Sequence, residues 1–229
     1  YFSDMDDIGH AYGPNNDEKL RPVITKLDHE LGALFEGIKS FDLPVHIILV
    51  SDHGMTDVPK ENLINLDDLM EGVQARVVND GALAHVYLED PKMKKKAMKL
   101  IQSRSPYISL DNLENNENYT DPSLFPQRIG DFLILPALGY YLADNRGMMR
   151  YQNRSALIKT DVFGEHGFSP NHRDLWGIFY ANGPMIKSGY QIEPFQNIHI
   201  YPLVCKILGL PIPGNIDGKA EVLAPVLKD

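Results

Sequence analysis

The sequence predicts an α/β fold with parallel-sheet logic, and three observations carry that prediction. Residues Asn15 to Ser40 place apolar side chains at three- and four-residue spacings, the pattern of an amphipathic helix. Val45 to Val50 is a short, nearly continuous apolar run, the signature of a strand covered on both faces. Glycine-flanked polar motifs stand just before that helix and just after that strand, at Asp6–His10 and Ser51–Met55. Motif, helix, strand, motif is the order of a βαβ unit, and open α/β sheets place their chemistry at the carboxyl ends of strands.

Taken in order, Tyr1-Phe2-Ser3-Asp4 reads as the end of a core strand, so the chain is expected to begin inside a domain. In the helix, Leu20, Val23, Ile24, Leu27, Leu31, Leu34, Phe35 and Ile38 form one apolar face. Asn15 or Asn16 is positioned to cap it, and Pro22 is tolerable only near the first turn. Arg76–Val78 and Ala84–Leu88 read as strands, the second alternating around His85, and Pro91–Arg104 as a helix. Lys94, Lys95 and Lys96 form its solvated face. Asp111 to Pro126, rich in Asn, Asp and Pro, reads as loop, and Asp131–Leu135 with Tyr140–Ala143 as a hairpin. Residues 76–150 together read as an inserted α+β lobe within a single domain portion, 1–229. Leu175–Ala181 returns as a buried strand, and Tyr201–Leu208 is a last short helix with Pro202 in its first turn. No repeat and no low-complexity tract interrupts this order.

Composition bounds the function. The 229 residues are 43% hydrophobic and 23% charged, with a net charge of -9, which argues against a nucleic-acid polymer as a tightly held partner. A small phosphate ester stays compatible, because bound dications reverse the local sign. The one cysteine, Cys205, forms no internal disulfide. No apolar run approaches the roughly 18 residues that span a bilayer.

Three histidine motifs concentrate the chemistry: Asp6-Asp7-Ile8-Gly9-His10, Ser51-Asp52-His53-Gly54-Met55 and Gly164-Glu165-His166-Gly167-Phe168. Carboxylate and imidazole are the ligand set that suits zinc, and also manganese or iron. On a helix, Asp6 and His10 share a face; alone they also read as a capping aspartate and a surface histidine. Asp52 and His53 reach one site only if their strand has ended, because neighbours on a strand point to opposite faces. Glu165 beside His166 and His172 six residues later read first as ordinary polar residues; the functional alternatives are that Glu165 orients His166 and that His172 contacts substrate. His29, His46, His85 and His199 fit ordinary structural or surface roles.

These residues resemble the alkaline phosphatase superfamily and, within it, the nucleotide pyrophosphatase/phosphodiesterase family. Asp6 to Pro14 follows a D-x-x-G-H-x-Y-G-P stretch, Leu49 to Met55 and Gly164 to Phe168 match two further motifs, and Trp176–Pro184 and Asn197–Leu203 continue the likeness. The third motif departs slightly, since the family continues H-G-Y-D where Phe168-Ser169-Pro170 stand here.

The resemblance implies an alkaline-phosphatase-like sandwich, with a mostly parallel central sheet flanked by helices. It implies two zinc ions, one held by Asp6, His10 and His166, the other by Asp52 and His53. The family's threonine nucleophile and a further aspartate ligand come from an earlier part of the domain, and Thr25, Thr56, Thr120 and Thr160 do not match that turn. The chain thus resembles the C-terminal half or more of the catalytic domain, inactive by itself. The expected reaction is zinc-dependent hydrolysis of nucleotides or related small phosphodiesters or pyrophosphates. A phosphomonoesterase of the same superfamily or a non-catalytic metal-binding relative is the alternative. A sulfatase lacks its Cys/Ser-x-Pro-x-Arg signature here, and a manganese phosphomutase does not account for the first motif. The expected location is extracytoplasmic, in a bacterium, since animal relatives of this kind are rich in cysteine.

Overall fold

A computed structural model describes residues 1–111 and 126–228. The elements in chain order are α1 (Asp4–Tyr12), α2 (Asp17–Lys39), β1 (Ile47–Val50), β2 (Thr56–Pro59), β3 (Leu63–Asn65), α3 (Leu66–Met70), β4 (Ala75–Asn79) and β5 (Ala84–Leu88). They continue with α4 (Lys94–Gln102), β6 (Ile108–Asp111), α5 (Pro126–Ile129), β7 (Phe132–Pro136), β8 (Tyr141–Ala143), α6 (Asn145–Ile158), β9 (Val162–Glu165), β10 (Phe179–Asn182), α7 (Ile200–Leu208) and α8 (Ala220–Leu223).

The chain forms two compact units, and the boundaries fall within α2 and beside the ends of the β1 and β10 strands. The first unit holds Tyr1–Leu31 and Asp52–Gly177. Its largest core lies on a four-stranded antiparallel sheet, β4-β5-β7-β6. Val86, Phe132, Ile134 and Ile101 are fully buried there, with Leu66 and Leu69 of α3 and Ala97 of α4 closing the cluster. The same unit contains the parallel pair β3–β8 and the antiparallel pair β2–β9. The second unit, Gly32–Ser51 and Ile178–Asp229, packs β1–β10, an antiparallel pair, on Ile186, Leu203, Leu223 and Val226.

Several expectations change. The class is α/β, but the pairings are mixed, with β3–β8 the one parallel pair among the described residues. Residues 1–3, expected as the end of a core strand, are coil leading straight into α1. The Asp131–Ala143 hairpin does not form: β7 pairs with β5 and β6, while β8 pairs with β3. The returning strand begins at Phe179 rather than Leu175, because the carbonyls of Asp174 and Leu175 accept hydrogen bonds from Met55 and Gly54. β1 is half-buried, not covered on both faces, and Val50 is 47% exposed. On α2 the buried stripe is narrower than expected, with Ile24 and Leu34 half-exposed. Its cap is Asn16, whose side chain accepts from the Lys19 amide. The expected loop at 112–125 lies outside the described residues.

Candidate metal centre

Every residue of the three motifs except Ser51 lies in the first unit. α1 carries Asp4, Asp6 and Asp7 in its first turn, where carboxylates complement the helix dipole, and His10 in its last. One helical turn brings His10 Nε2 to 3.5 Å from Asp6 Oδ1. Two glycines allow α1 to lie against β9. A Cβ added at Gly164 would fall against the Gly9 carbonyl oxygen and the Met55 sulfur, and one at Gly9 would meet that same sulfur. This close approach puts His10 Nδ1 2.6 Å from the Gly164 carbonyl. A carbonyl only accepts, so Nδ1 carries the proton and Nε2 keeps its lone pair on the Asp6 side.

The second motif follows β1 at a point where the chain has left the strand. The Gly54 and Met55 amides donate to Leu175 and Asp174, and a side chain at Gly54 would collide with the Asp174 carbonyl. His53 Nδ1 is 2.8 Å from the Gly54 carbonyl, which again leaves Nε2 free. Asp52 accepts from the His53 amide at 3.1 Å, and its side chain is 68% exposed.

His166 follows β9 and stacks on His53, with ring centroids 3.6 Å apart; the His10 centroid is 5.1 Å away. Burial lowers the His166 pKa, and His53 and His10 lower it further, against an opposing pull from Asp6 and Asp52. At neutral pH its imidazole is therefore neutral, the form that binds metals. Donor atoms of Asp6, His53 and His166 all lie within 4.8 Å of one another. Asp6 Oδ1 is buried and, among the described residues, has no hydrogen-bond partner. A buried carboxylate oxygen without a donor is costly, and a bound cation satisfies it, so this donor set fits a divalent metal.

The five expected metal residues therefore gather in one region, with Asp6, His53 and His166 innermost and His10 and Asp52 beside them. The tightest group crosses the division implied by family resemblance. His172 caps a short turn, donating its amide to Ser169, outside the close group. Glu165 is not behind His166. Alternation along β9 turns it toward His10, with Oε2 3.5 Å from Nδ1. Phe168, at the departure from H-G-Y-D, is buried in an apolar cluster with Val58, Ala82 and Leu175, where a ring without a hydroxyl suits its neighbours.

Sequence reasoning missed α6 and its Tyr151. Asp144, whose side chain accepts from the Gly147 amide, was the available signal for the helix start. Nothing local marks Tyr151 as a partner of Glu165, to which it donates at 2.5 Å. Burial, then the Glu165 charge, pushes the Tyr151 phenol far above its ordinary value, so it stays a donor.

Residues 1–171 match the family model described as type I phosphodiesterase / nucleotide pyrophosphatase. This chain belongs to that family. It is 30% identical over 240 residues to ectonucleotide pyrophosphatase/phosphodiesterase family member 7 of Rattus norvegicus, covering 100% of this chain and 50% of that protein. It is 29% identical over 219 residues to a bis(5'-adenosyl)-triphosphatase of Bos taurus, covering 94% of this chain and 45% of that one. The chain thus spans about half the length of the curated relatives it matches. Among solved structures, human ectonucleotide pyrophosphatase/phosphodiesterase 5 superposes with a TM-score of 0.79 at 23% identity, over 98% of this chain and 56% of that one. An inactive murine form of that protein in complex with AMP superposes at 0.77 and 22% identity, over 97% of this chain and 56% of that one. The chain accordingly has the alkaline-phosphatase-like α/β fold.

Proposed function

We propose that this chain supplies most of a two-zinc centre that hydrolyses phosphodiester or pyrophosphate bonds in nucleotides or related small phosphodiesters. The observation that carries the reading is the convergence of Asp6, His53 and His166 donor atoms within 4.8 Å, in a member of the type I phosphodiesterase family. Asp6, His10, His166, Asp52 and His53 would hold the metals. The threonine nucleophile and a further aspartate ligand would come from a part of the family's catalytic domain outside these 229 residues.

When bound, the two dications supply Lewis acidity toward the phosphoryl oxygens and the attacking and leaving groups. The chain's own residues prepare for this. The Gly164 and Gly54 carbonyls fix His10 and His53 as Nδ1–H tautomers, and burial among other imidazoles keeps His166 neutral. Asp6 places negative charge among them. His172, a short distance downstream, is the proposed substrate contact. A nucleotide substrate is favoured by the relative named as a bis(5'-adenosyl)-triphosphatase and by the neighbour in complex with AMP. No helix among the described residues is long and apolar enough to cross a membrane. A location outside the cytoplasm is proposed on the "ecto" in the relatives' names.

The test is zinc content, together with hydrolysis of p-nitrophenyl thymidine monophosphate and p-nitrophenyl phosphate, by the protein containing the threonine segment. His53→Ala and Asp6→Asn are each expected to lose bound zinc and to slow diester hydrolysis about a thousandfold. Chelation removes the activity and added zinc restores it. Full diester hydrolysis in both variants overturns the assignment. Faster cleavage of the monoester points to a phosphomonoesterase, and zinc retained without hydrolysis of either ester points to a non-catalytic metal-binding protein.

A further inference from the structure

Glu165 is a carboxylate in a place where a carboxylate is expensive. It is 6% exposed, at the end of β9, and taking a charge out of water costs several kcal/mol unless something compensates. Among the described residues, no lysine or arginine lies within ion-pair distance; the basic group beside it is His10. Its two oxygens do different things. Oε1 accepts from the Tyr151 hydroxyl at 2.5 Å, which anchors the carboxylate to α6. Oε2 lies 3.5 Å from His10 Nδ1, on the side of the ring opposite the Asp6 contact. His10, Glu165 and Tyr151 line one open cleft of about 370 Å³ with Tyr141, Arg150 and Arg154, so the carboxylate and the imidazole border the same space.

We infer that Glu165, fixed by Tyr151, is a positioning residue that acts on the metal centre through His10. The inference rests on the metal-centre reading above. The Gly164 carbonyl sets the His10 tautomer, and the Glu165 charge stabilises the Nδ1–H dipole and raises the donor strength of Nε2. A carboxylate behind a ligating histidine also draws positive charge to the site without occupying a coordination position. This explains a buried acid with neutral hydroxyl support on one side and an imidazole on the other. If Glu165 merely fastened α6 to β9, a neutral amide in its place would serve as well, because Gln still accepts from Tyr151.

The experiment is a zinc titration of the protein containing the threonine segment against a chromophoric chelator, arranged as a double-mutant cycle with 15N spectra of the His10 ring. Glu165→Gln is expected to weaken zinc binding about 10- to 100-fold, the range for lost outer partners of metal ligands. In a His10→Ala background the same substitution is expected to change nothing. The His10 nitrogen shifts of the metal-free protein move in Glu165→Gln while those of His53 do not. Tyr151→Phe, which deletes one oxygen and keeps the ring, is expected to give a smaller loss that also vanishes with His10→Ala; it carries the test if Glu165→Gln fails to fold. Zinc affinity within twofold of wild type in a folded Glu165→Gln, or an equal loss in the His10→Ala background, overturns the inference while leaving the metal centre standing. Failure of the wild-type protein containing the threonine segment to bind zinc, with His10 shifts unmoved by Glu165→Gln, overturns both.

Discussion

Two antiparallel pairs, β2–β9 and β1–β10, have burial opposite to what their sequences suggest. β2 reads Thr56-Asp57-Val58-Pro59 and β9 reads Val162-Phe163-Gly164-Glu165, a mixture of polar residues, proline and glycine. Yet Val58 and Phe163 are completely buried, and Thr56 and Glu165 nearly so. β1 reads Ile47-Ile48-Leu49-Val50, wholly apolar, and it is half-exposed, while Tyr180 on its partner is 66% exposed. The reason is what lies on each pair. α1 settles on β9 through the glycine contact at Gly9 and Gly164, and the Tyr151 ring of α6 meets Phe163 edge-on at 4.9 Å. On β1–β10, Phe179 and Ala181 face the cluster around Leu203 and Leu223, whereas Leu49 and Tyr180 share the other face. Apolar character shows what a strand can bury; the neighbouring elements decide what it does bury.

The comparison is broken or sharpened first by truncation. Phe163→Ala is expected to cost about 3–5 kcal/mol, as for a fully buried ring, whereas Tyr180→Ala should stay within about 0.5 kcal/mol. Denaturant melts of both variants check this, and equal losses would mean that the outer face of β1–β10 is covered in solution. Next comes the glycine contact. Gly164→Ala drives a methyl into the Gly9 carbonyl and is expected to cost about 1–3 kcal/mol and to weaken zinc binding, since His10 loses its place. Gly32→Ala, with open space around it in the middle of α2, is expected to stabilise by about 0.5–1 kcal/mol.

The smallest effect concerns the end of the β2–β9 pair. Lys60, just after β2, and the buried Ser155 hydroxyl both donate to Asp161, just before β9. The Lys60 hydrogen bond, then that of Ser155, holds the Asp161 carboxyl below its ordinary value. A lowered folded-state pKa means that this contribution is present above the unfolded carboxylate value and lost as pH falls through the folded one. Lys60→Met should therefore lower stability slightly across the neutral region, and the difference from wild type should vanish as pH falls below the ordinary carboxylate range, which flattens the acid limb of a stability-versus-pH curve. The pair is solvent-exposed, so the effect is small.

Local features are legible in the residues themselves. The helix over Asp17–Lys39, the strand Ala84–Leu88 and the helix Ile200–Leu208 follow from periodicity, because one stripe or one face of short range is enough to define them. The residues proposed as ligands were legible in the three motifs for the same reason, since residue type and adjacent glycines are properties of a few consecutive positions. Long-range packing sets the rest: Leu175 and Asp174 serve Gly54 and Met55 instead of a strand, β7 and β8 part company, and Glu165 faces His10 rather than its neighbour His166. Each of these depends on a carbonyl, a strand edge or a phenol brought in from far along the chain. A free backbone group or a buried charge takes whatever partner the packing brings within reach, and no short window of sequence contains that partner.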